Sequence, residues 1–256
     1  MVIMQPILNV SNIEKYYGNK GMVTKAVDNI SFSVNKGEFV GIMGASGSGK
    51  TTLLNCISTI DTVTSGHIYV DGKNITTMKS KQLSAFRREQ LGFVFQDFNL
   101  LDTFTLEDNI YLPLVLAGMP YKKMHDRLVP IAERLGISAL LKKYPYEVSG
   151  GQKQRAAATR ALITNTKLIL ADEPTGGLDS KASDELLSLF SEINRTGQTI
   201  VMVTHSVKAA STAGRVLFIR DGEVFHQIYR GNDTDEQLYQ KISDTLTLLA
   251  TGGDRR

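Results

Sequence analysis

The sequence contains a glycine-rich loop whose spacing is typical of sites that bind nucleotide phosphates. Residues 44–51 read Gly-Ala-Ser-Gly-Ser-Gly-Lys-Thr and match the pattern G-x-x-x-x-G-K-[ST]. Glycines let backbone N–H groups approach phosphate oxygens, and the start of a helix attracts negative charge. The predicted site comprises Gly44, Ala45, Ser46, Gly47, Ser48, Gly49, Lys50, Thr51 and Thr52.

A lysine and a threonine at the end of this loop are expected to contact different groups. Lys50 would place a positive charge beside the β- and γ-phosphates, and Thr51 would offer its hydroxyl to Mg²⁺. An apolar run over 39–43 precedes the loop, and a helical pattern follows it. This strand–loop–helix context argues against a chance match within an ordinary Gly/Ser-rich turn.

Two neighbouring carboxylates follow a second apolar run. Asp172 and Glu173 come directly after residues 168–171, and ligands of open α/β sheets bind at the carboxyl ends of strands. We expect Asp172 to hold Mg²⁺ and Glu173 to act as the general base that polarises a water molecule. The alternative is a pair of surface acids at a solvated strand end, and the phosphate loop upstream argues against it.

A second glycine-rich stretch lies near the middle of the chain. Ser149 would cap a helix, and the N–H groups at the start of that helix could bind another phosphate. A simple helix cap would need only the serine, whereas two glycines are costly at a helix start and suggest a functional reason. The predicted phosphate contacts are Ser149, Gly150, Gly151 and Gln152.

Strands and helices alternate along much of the chain, and they must position these groups. Continuous apolar runs over 39–43, 168–171 and 199–203 predict strands buried on both faces, and a helix is predicted over 180–195. Helical patterning over 105–165 interrupts the alternation. These features predict an α/β domain with a largely parallel sheet and an inserted helical subdomain.

The composition is that of an ordinary globular protein. The chain has 256 residues, a formal net charge of +3 and a single cysteine, Cys56, which fits a reducing compartment and a core position. This charge balance does not indicate a nucleic-acid partner. Residues 1–10 do not resemble a signal peptide, and the longest near-apolar run, 110–119, is far shorter than the roughly 20 residues of a membrane-spanning helix. We therefore expect membrane contact only through a partner.

The motifs together resemble those of ATP-binding cassette (ABC) ATPases over residues 7–230. The resemblance is carried by 148–155, Val-Ser-Gly-Gly-Gln-Lys-Gln-Arg, which closely matches the signature motif of that family. It implies a P-loop NTPase core with a largely parallel sheet, an antiparallel β subdomain and a helical subdomain inserted at about 97–160. The ATPase domain would span 1–231, and 232–256 would form a helical tail.

The resemblance also implies roles for residues outside the phosphate loop. Tyr17 would stack on adenine, Gln96 would contact Mg²⁺ or the attacking water, Asp179 would belong to the D-loop, and His205 would contact the γ-phosphate. The catalytic residues would then be Glu173, His205 and Gln96, and the metal ligands Thr51, Gln96 and Asp172. Considered alone, a histidine after a strand is usually a polar turn residue, and an isolated tyrosine usually packs.

The expected partners follow from the same resemblance. ATP at Lys50 of one copy would be capped by Ser149 and Gly151 of a second copy, in a head-to-tail dimer. A separate membrane permease would hold this dimer peripherally at the cytoplasmic face of the plasma membrane. The candidate side chains for its docking groove, with ordinary core packing as the alternative, are Phe98, Leu100, Leu101 and Phe104.

Within the family, the chain resembles the subgroup of macrolide-export, lipoprotein-release and bacitracin-resistance ATPases. Residues 92–101 and 108–114 carry this resemblance, and 42–46 with 58–61 look most like the bacitracin-type peptide-resistance branch. That branch implies a sensor kinase as a further partner through the permease. The alternatives are macrolide export or lipoprotein release, a soluble non-transport ABC ATPase, and a P-loop kinase, against which the signature motif argues.

Overall fold

The computed structural model describes residues 6–19 and 22–252 and places them in two β-sheets flanked by helices. The larger sheet has the strand order β10-β9-β3-β8-β7-β6. Its strands are β3 (Phe39–Met43), β6 (Leu91–Phe95), β7 (Leu168–Asp172), β8 (Thr199–Val203), β9 (Arg215–Arg220) and β10 (Glu223–Tyr229). All neighbours pair in parallel except β9 and β10. The predicted α/β class with a largely parallel sheet is confirmed.

The smaller sheet is antiparallel and has the order β2-β1-β4-β5. Its strands are β1 (Leu8–Asn19), β2 (Met22–Val34), β4 (Ser65–Val70) and β5 (Lys73–Asn74). The register of β1 against β2 shifts three times between Val10 and Tyr16. Each shift interrupts the two-residue side-chain period by which a strand is recognised in a sequence.

Helices cover both faces of the larger sheet. They are α1 (Lys50–Ile57), α2 (Ser80–Gln90), α3 (Leu106–Leu116), α4 (Tyr121–Arg134), α5 (Gly150–Leu162), α6 (Ser180–Arg195), α7 (Val207–Ala210) and α8 (Asp235–Gly252). Helix α6 has the bounds that the sequence predicts. Helices α3, α4 and α5 follow β6 and precede β7, in the predicted helical stretch. The domain boundaries stay a prediction, and residues 1–5, 20–21 and 253–256 of those ranges lie outside the described residues.

The larger sheet separates two apolar cores. Alternate residues of β3 point to opposite sides, so that Phe39 and Met43 join the core beneath α3–α8 while Val40 and Ile42 join the core beneath α1 and the smaller sheet. Every residue of β3 and β8 is buried. Because both faces of these strands are covered, their carboxyl ends are held in fixed positions.

A cysteine occupies the core on the α1 side, as the sequence predicts. Cys56 is 3% exposed, and burial raises the pKa of its thiol to about 12. Among the described residues, no helix combines the length and the apolar character that are needed to cross a membrane.

The predicted C-terminal tail contains helix α8, which packs on the apolar core at the α3–α8 side of the larger sheet. Leu238 and Ile242 are fully buried in the core, and Leu246 and Leu249 pack against it at the same helical spacing. The guanidinium of Arg230, just before α8, donates to the carbonyl of Ala213 at 3.0 Å. The helix is therefore part of the domain's own core.

We predict that Ile242→Ala lowers the free energy of unfolding by about 2–4 kcal/mol, because it removes fully buried methylenes and leaves a cavity. The matched control on the same helix is Leu248→Ala, whose side chain is 71% exposed and whose truncation should cost less than about 0.5 kcal/mol. Urea denaturation of both variants measures the difference. If both variants lost an equally small free energy of unfolding, α8 would not be part of the core.

Candidate nucleotide site

The glycine-rich loop lies between the end of β3 and the start of α1. Gly49 caps α1 with φ +97°, and a Cβ there would lie 2.1 Å from the carbonyl oxygen of Ala26. Only glycine fits such a backbone at such a distance. The N–H groups in the first turn of α1 have no partner within the helix, and they face the loop. The loop therefore offers a cluster of donors to an anion.

Two polar groups in this loop have unused hydrogen-bonding capacity. The ammonium of Lys50 donates to the carbonyl oxygens of Gly44 and Ala45, both at 2.8 Å, which leaves one of its three N–H donors. Burial lowers the pKa of Lys50, while the nearby carboxylates of Glu173 and Asp172 oppose that shift. The hydroxyl of Ser48 is buried without a partner. These groups suit a phosphate anion.

The candidate base is oriented by the neighbouring strand end. One carboxylate oxygen of Glu173 accepts from the hydroxyl of Thr204 at 3.0 Å and from the backbone N–H of His205 at 3.2 Å. The other lies 2.8 Å from Nδ1 of His205. Glu173 has φ +44°, an uncommon conformation for a residue with a side chain and one that concentrates at functional sites. The structure thus joins two side chains that the sequence predicted separately.

The other carboxylate is desolvated and not fully paired. The Oδ1 atom of Asp172 is buried without a hydrogen-bond partner. Burial raises the pKa of this group, as does Glu173 beside it, and Lys50 opposes the shift. An unsatisfied carboxylate oxygen is the kind of hard oxygen donor that Mg²⁺ prefers, and the hydroxyl of Thr51 is another. The residues present therefore fit the predicted ion.

Gln96 lies against the loop that follows the candidate base. A Cβ added to Gly176 would lie 2.8 Å from Cδ of Gln96, and the N–H of Gly176 donates to the carbonyl of Glu173. The sequence missed a residue that stabilises this junction. The fully buried amide of Gln154 donates to the carbonyls of Phe95 at 3.1 Å and Pro174 at 2.7 Å. It ties α5 to the segments that carry Gln96 and Glu173.

The predicted adenine platform is fixed by two residues that the sequence did not assign to the site. The hydroxyl of Tyr17 donates to Asp61 at 2.6 Å, and the ammonium of Lys15 donates to the other oxygen of Asp61 at 2.6 Å. The same ammonium lies 4.8 Å from the centre of the Tyr17 ring. Burial and the Asp61 carboxylate raise the pKa of Tyr17, whose hydroxyl also lies beside Thr52 at the start of α1. The ring is 42% exposed and lies next to the phosphate loop.

The second glycine-rich stretch begins α5 with a reciprocal cap. The hydroxyl of Ser149 accepts from the N–H of Gln152 at 3.4 Å, and the Gln152 side chain accepts from the N–H of Ser149 at 3.0 Å. A Cβ added to Gly151 would lie 2.9 Å from Cβ of Ala182. Close packing of α5 on α6 therefore requires a glycine here within one copy of the chain, and the predicted phosphate contact of Gly151 stays a prediction.

Asp179 lies near the second glycine-rich stretch, residues 149–152, and not near the phosphate loop. Its Oδ1 caps α6 by accepting from the N–H of Ala182 at 2.8 Å. Within 6–19 and 22–252, no hydrogen bond or ion pair joins Asp179 or residues 149–152 to Lys50, Asp172 or Glu173. One copy of the chain therefore presents two separate groups of predicted phosphate contacts.

Known proteins are similar to this chain. The family model described as "ABC transporter" matches residues 27–176. The bacitracin export ATP-binding protein BceA of Halalkalibacterium halodurans is 47% identical over 95% of this chain and 96% of its own length. The macrolide export ATP-binding/permease protein MacB of Hyphomonas neptunium is 39% identical over 86% of this chain but 34% of its own length.

Solved structures of a bacterial ABC transporter cassette, MJ0796, are also similar. A dimeric structure of that protein has a TM-score of 0.80 and 36% identity, and it covers 87% of this chain and 98% of the other. A second dimeric structure of MJ0796, in a post-hydrolysis state bound to ADP and Pi, has a TM-score of 0.79. The similarity therefore extends over nearly all of the solved cassette.

Proposed function

The chain belongs to the ABC transporter family and is an ATP-binding and ATP-hydrolysing subunit, and we propose that it powers a separate permease that gives resistance to peptides of the bacitracin type. The observation that carries the proposal is the match to BceA, which extends over almost the full length of both chains. In this role the subunit would lie at the cytoplasmic face of the plasma membrane, held by its permease.

The second candidate is macrolide export, since MacB is also a relative. The chain matches about a third of that ATP-binding/permease protein, whereas it matches BceA end to end. This difference in coverage favours a role in resistance to peptides of the bacitracin type over macrolide export. Signalling to a sensor kinase through the permease stays a prediction.

We assign the phosphate loop to the β- and γ-phosphates of ATP. The first-turn N–H groups of α1 and the third N–H of Lys50 would bind phosphate oxygens. Thr51, Asp172 and Gln96 would hold Mg²⁺, which neutralises charge on the phosphates when bound. Tyr17 would stack on the base from beside Thr52.

Glu173 is the proposed general base. Three donors, from Thr204 and His205, occupy three of the roughly four acceptor positions of its carboxylate and fix its orientation. The remaining position is available to accept a proton from water. Because Nδ1 of His205 faces Glu173, Nε2 is the ring nitrogen left to contact the γ-phosphate.

A second copy of the chain would complete each site. Residues 149–152 form a helix start that lies apart from the phosphate loop of the same copy. In a head-to-tail dimer, Ser149 and Gly151 would reach the ATP held by Lys50 of the partner copy. The dimeric structures of MJ0796 support this arrangement.

The permease would dock in a groove beside Gln96. This groove of about 500 Å³ lies between α2, α3 and the edge strand β6. The four candidates Phe98, Leu100, Leu101 and Phe104 do not line this groove; Leu100 packs on the core, and the docking role given to the four stays a prediction. Its apolar lining is Ile60, Leu91, Phe93, Phe95, Leu112, Pro113 and Leu116.

Glu173→Gln is expected to bind ATP and to lose most turnover, by at least about 100-fold, because the carboxamide cannot accept the proton from water. Phosphate release and equilibrium binding of a fluorescent ATP analogue measure the two effects. Lys50→Ala is the contrasting variant, which should lose ATP binding itself. Near-normal hydrolysis by Glu173→Gln would remove the role given to that residue, and unchanged ATP affinity in Lys50→Ala would remove the phosphate-loop assignment.

Asp61→Asn is expected to weaken ATP binding several-fold while leaving inorganic tripolyphosphate binding unchanged. The substitution removes the charge that holds Lys15 and Tyr17 in place, and tripolyphosphate has no base to stack. Competition against a fluorescent nucleotide gives both affinities. The matched control is Asp71→Asn, in the exposed hairpin between β4 and β5. An equal loss of affinity for ATP and for tripolyphosphate would mean that Asp61 supports the phosphate loop and not the Tyr17 ring on which the base would stack.

The proposed physiological role is tested by disrupting the gene for this chain in its own host. We expect the minimum inhibitory concentration of bacitracin to fall and that of erythromycin, a macrolide, to stay unchanged. Complementation with the wild-type chain should restore resistance, and Glu173→Gln should not. A fall confined to erythromycin would support the macrolide alternative instead.

A further inference from the structure

The Tyr17 ring on which the base would stack is held by a carboxylate from the turn that follows α1. This turn comprises residues 58–62, and its Asp61 accepts hydrogen bonds from Lys15 and from the Tyr17 hydroxyl. The ammonium of Lys15 also donates to the carbonyl of Thr62, at 2.7 Å. Both side chains that fix the ring therefore depend on the conformation of the 58–62 turn.

The 58–62 turn contains a residue in an uncommon backbone conformation. Thr59 has φ +61°, in the left-handed region that residues with a Cβ rarely adopt, and it is 8% exposed. Such a conformation persists only where surrounding contacts determine it. The N–H groups of Ile60 and Asp61 donate to the carbonyl of Asn55 at 3.0 and 3.1 Å, which ties the turn to the last part of α1.

A further contact reaches the turn from helix α2. Nη1 of Arg87 donates to both the carbonyl and the hydroxyl of Thr59, at 2.8 and 3.0 Å. Its Nη2 donates to the hydroxyl of Ser84 on the same helix at 3.2 Å. Over residues 6–19 and 22–252, Arg87 forms no ion pair, so no carboxylate competes with Thr59 for the guanidinium. Hydrogen bonds from a charged donor are among the stronger ones in proteins.

We infer that Arg87 is a positioning residue for the nucleotide base, which holds Thr59 and thereby fixes Asp61 and the Tyr17 ring. This inference rests on the proposed function, since it takes Tyr17 as the ring that stacks on adenine. In the described part of the chain, no hydrogen bond joins Arg87 to Tyr17, Asp61 or the phosphate loop. The arginine therefore acts through the 58–62 turn and not by contact with the nucleotide.

The place of the turn along α1 separates this role from support of the phosphate loop. Helix α1 begins at Lys50 and ends at Ile57, just before Thr59. Its eight residues span about 12 Å, so the turn lies at the opposite end of the helix from the N–H groups that face the phosphates. Loss of the Arg87 contacts should release the turn and the ring while the first turn of α1 stays in place. A ligand without a base should then bind as before.

The test compares ATP with inorganic tripolyphosphate as ligands of the full chain. We expect Arg87→Met to weaken ATP binding at least about threefold, because a hydrogen-bonded charged donor is lost, and to leave tripolyphosphate binding unchanged. The matched control is Lys81→Met, which removes a positive charge from an exposed position of the same helix and should change neither affinity. Competition against a fluorescent nucleotide gives both affinities. Normal tripolyphosphate binding also shows that the variant is folded.

Two further variants keep the test decisive. Thr59→Val removes the hydroxyl acceptor from the other side of the contact, and it should weaken ATP binding selectively as well. In an Asp61→Asn background, Arg87→Met should cause no further loss of ATP affinity, because the carboxylate that the turn presents is already gone. Losses that multiply in this double variant would show that Arg87 does not act through Asp61, and the inference would be overturned.

The remaining outcomes separate this inference from the proposed function. An equal loss of affinity for ATP and for tripolyphosphate in Arg87→Met would make Arg87 a support of α1 as a whole and would overturn the inference. Unchanged ATP affinity in Arg87→Met, with a clear loss in Tyr17→Ala, would overturn the inference alone. Unchanged ATP affinity in Tyr17→Ala would instead remove the base-stacking role that the proposed function gives to Tyr17.

Discussion

The site depends on the fixed register of three parallel strands that end at one edge of a sheet covered on both faces. Val40 of β3 and Leu170 of β7 both pair with Val201 of β8. A shift of one residue would turn the side chains of a strand to the opposite core, so the register is strongly specified. The strand ends therefore bring the phosphate loop, Glu173 and His205 together without any flexible connection.

Features encoded by neighbouring residues could be predicted from the sequence, whereas contacts between residues far apart in the chain could not. The phosphate loop and the apolar strands are encoded by neighbouring residues, so their pattern is visible in one stretch. The contact of Tyr17 with Asp61 joins positions 44 residues apart, and the bulges in β1 hide the strand that carries Tyr17. The groove at β6 could not be predicted, because its walls come from helices that precede and follow β6 along the chain, whereas the sequence analysis considered only apolar residues that follow Gln96.

Five buried polar side-chain atoms in the described part of the chain have no hydrogen-bond partner; two belong to Gln154 and Arg215, and the other three lie where another molecule is proposed to bind. Ser48 and Asp172 lie in the nucleotide site, and Arg88 lies in the groove. Most buried polar atoms of folded proteins are satisfied internally, so such exceptions ask for a reason. Of these, Arg88 lines the groove at β6, and Asp172 pairs in register with Phe95 of the same strand.

The single amide of Gln154 has a mechanical consequence. Its two hydrogen bonds join α5 to the end of β6 and to the segment after Glu173, and both originate from the same nitrogen. A displacement of α5 straight away from the sheet would lengthen both bonds at once. In a buried setting the loss of both is costly, so such a displacement is disfavoured. The buried amide thus fastens the helical part to the end of β6 and to the segment after Glu173 at a single point, so a displacement of α5 would disturb both segments together.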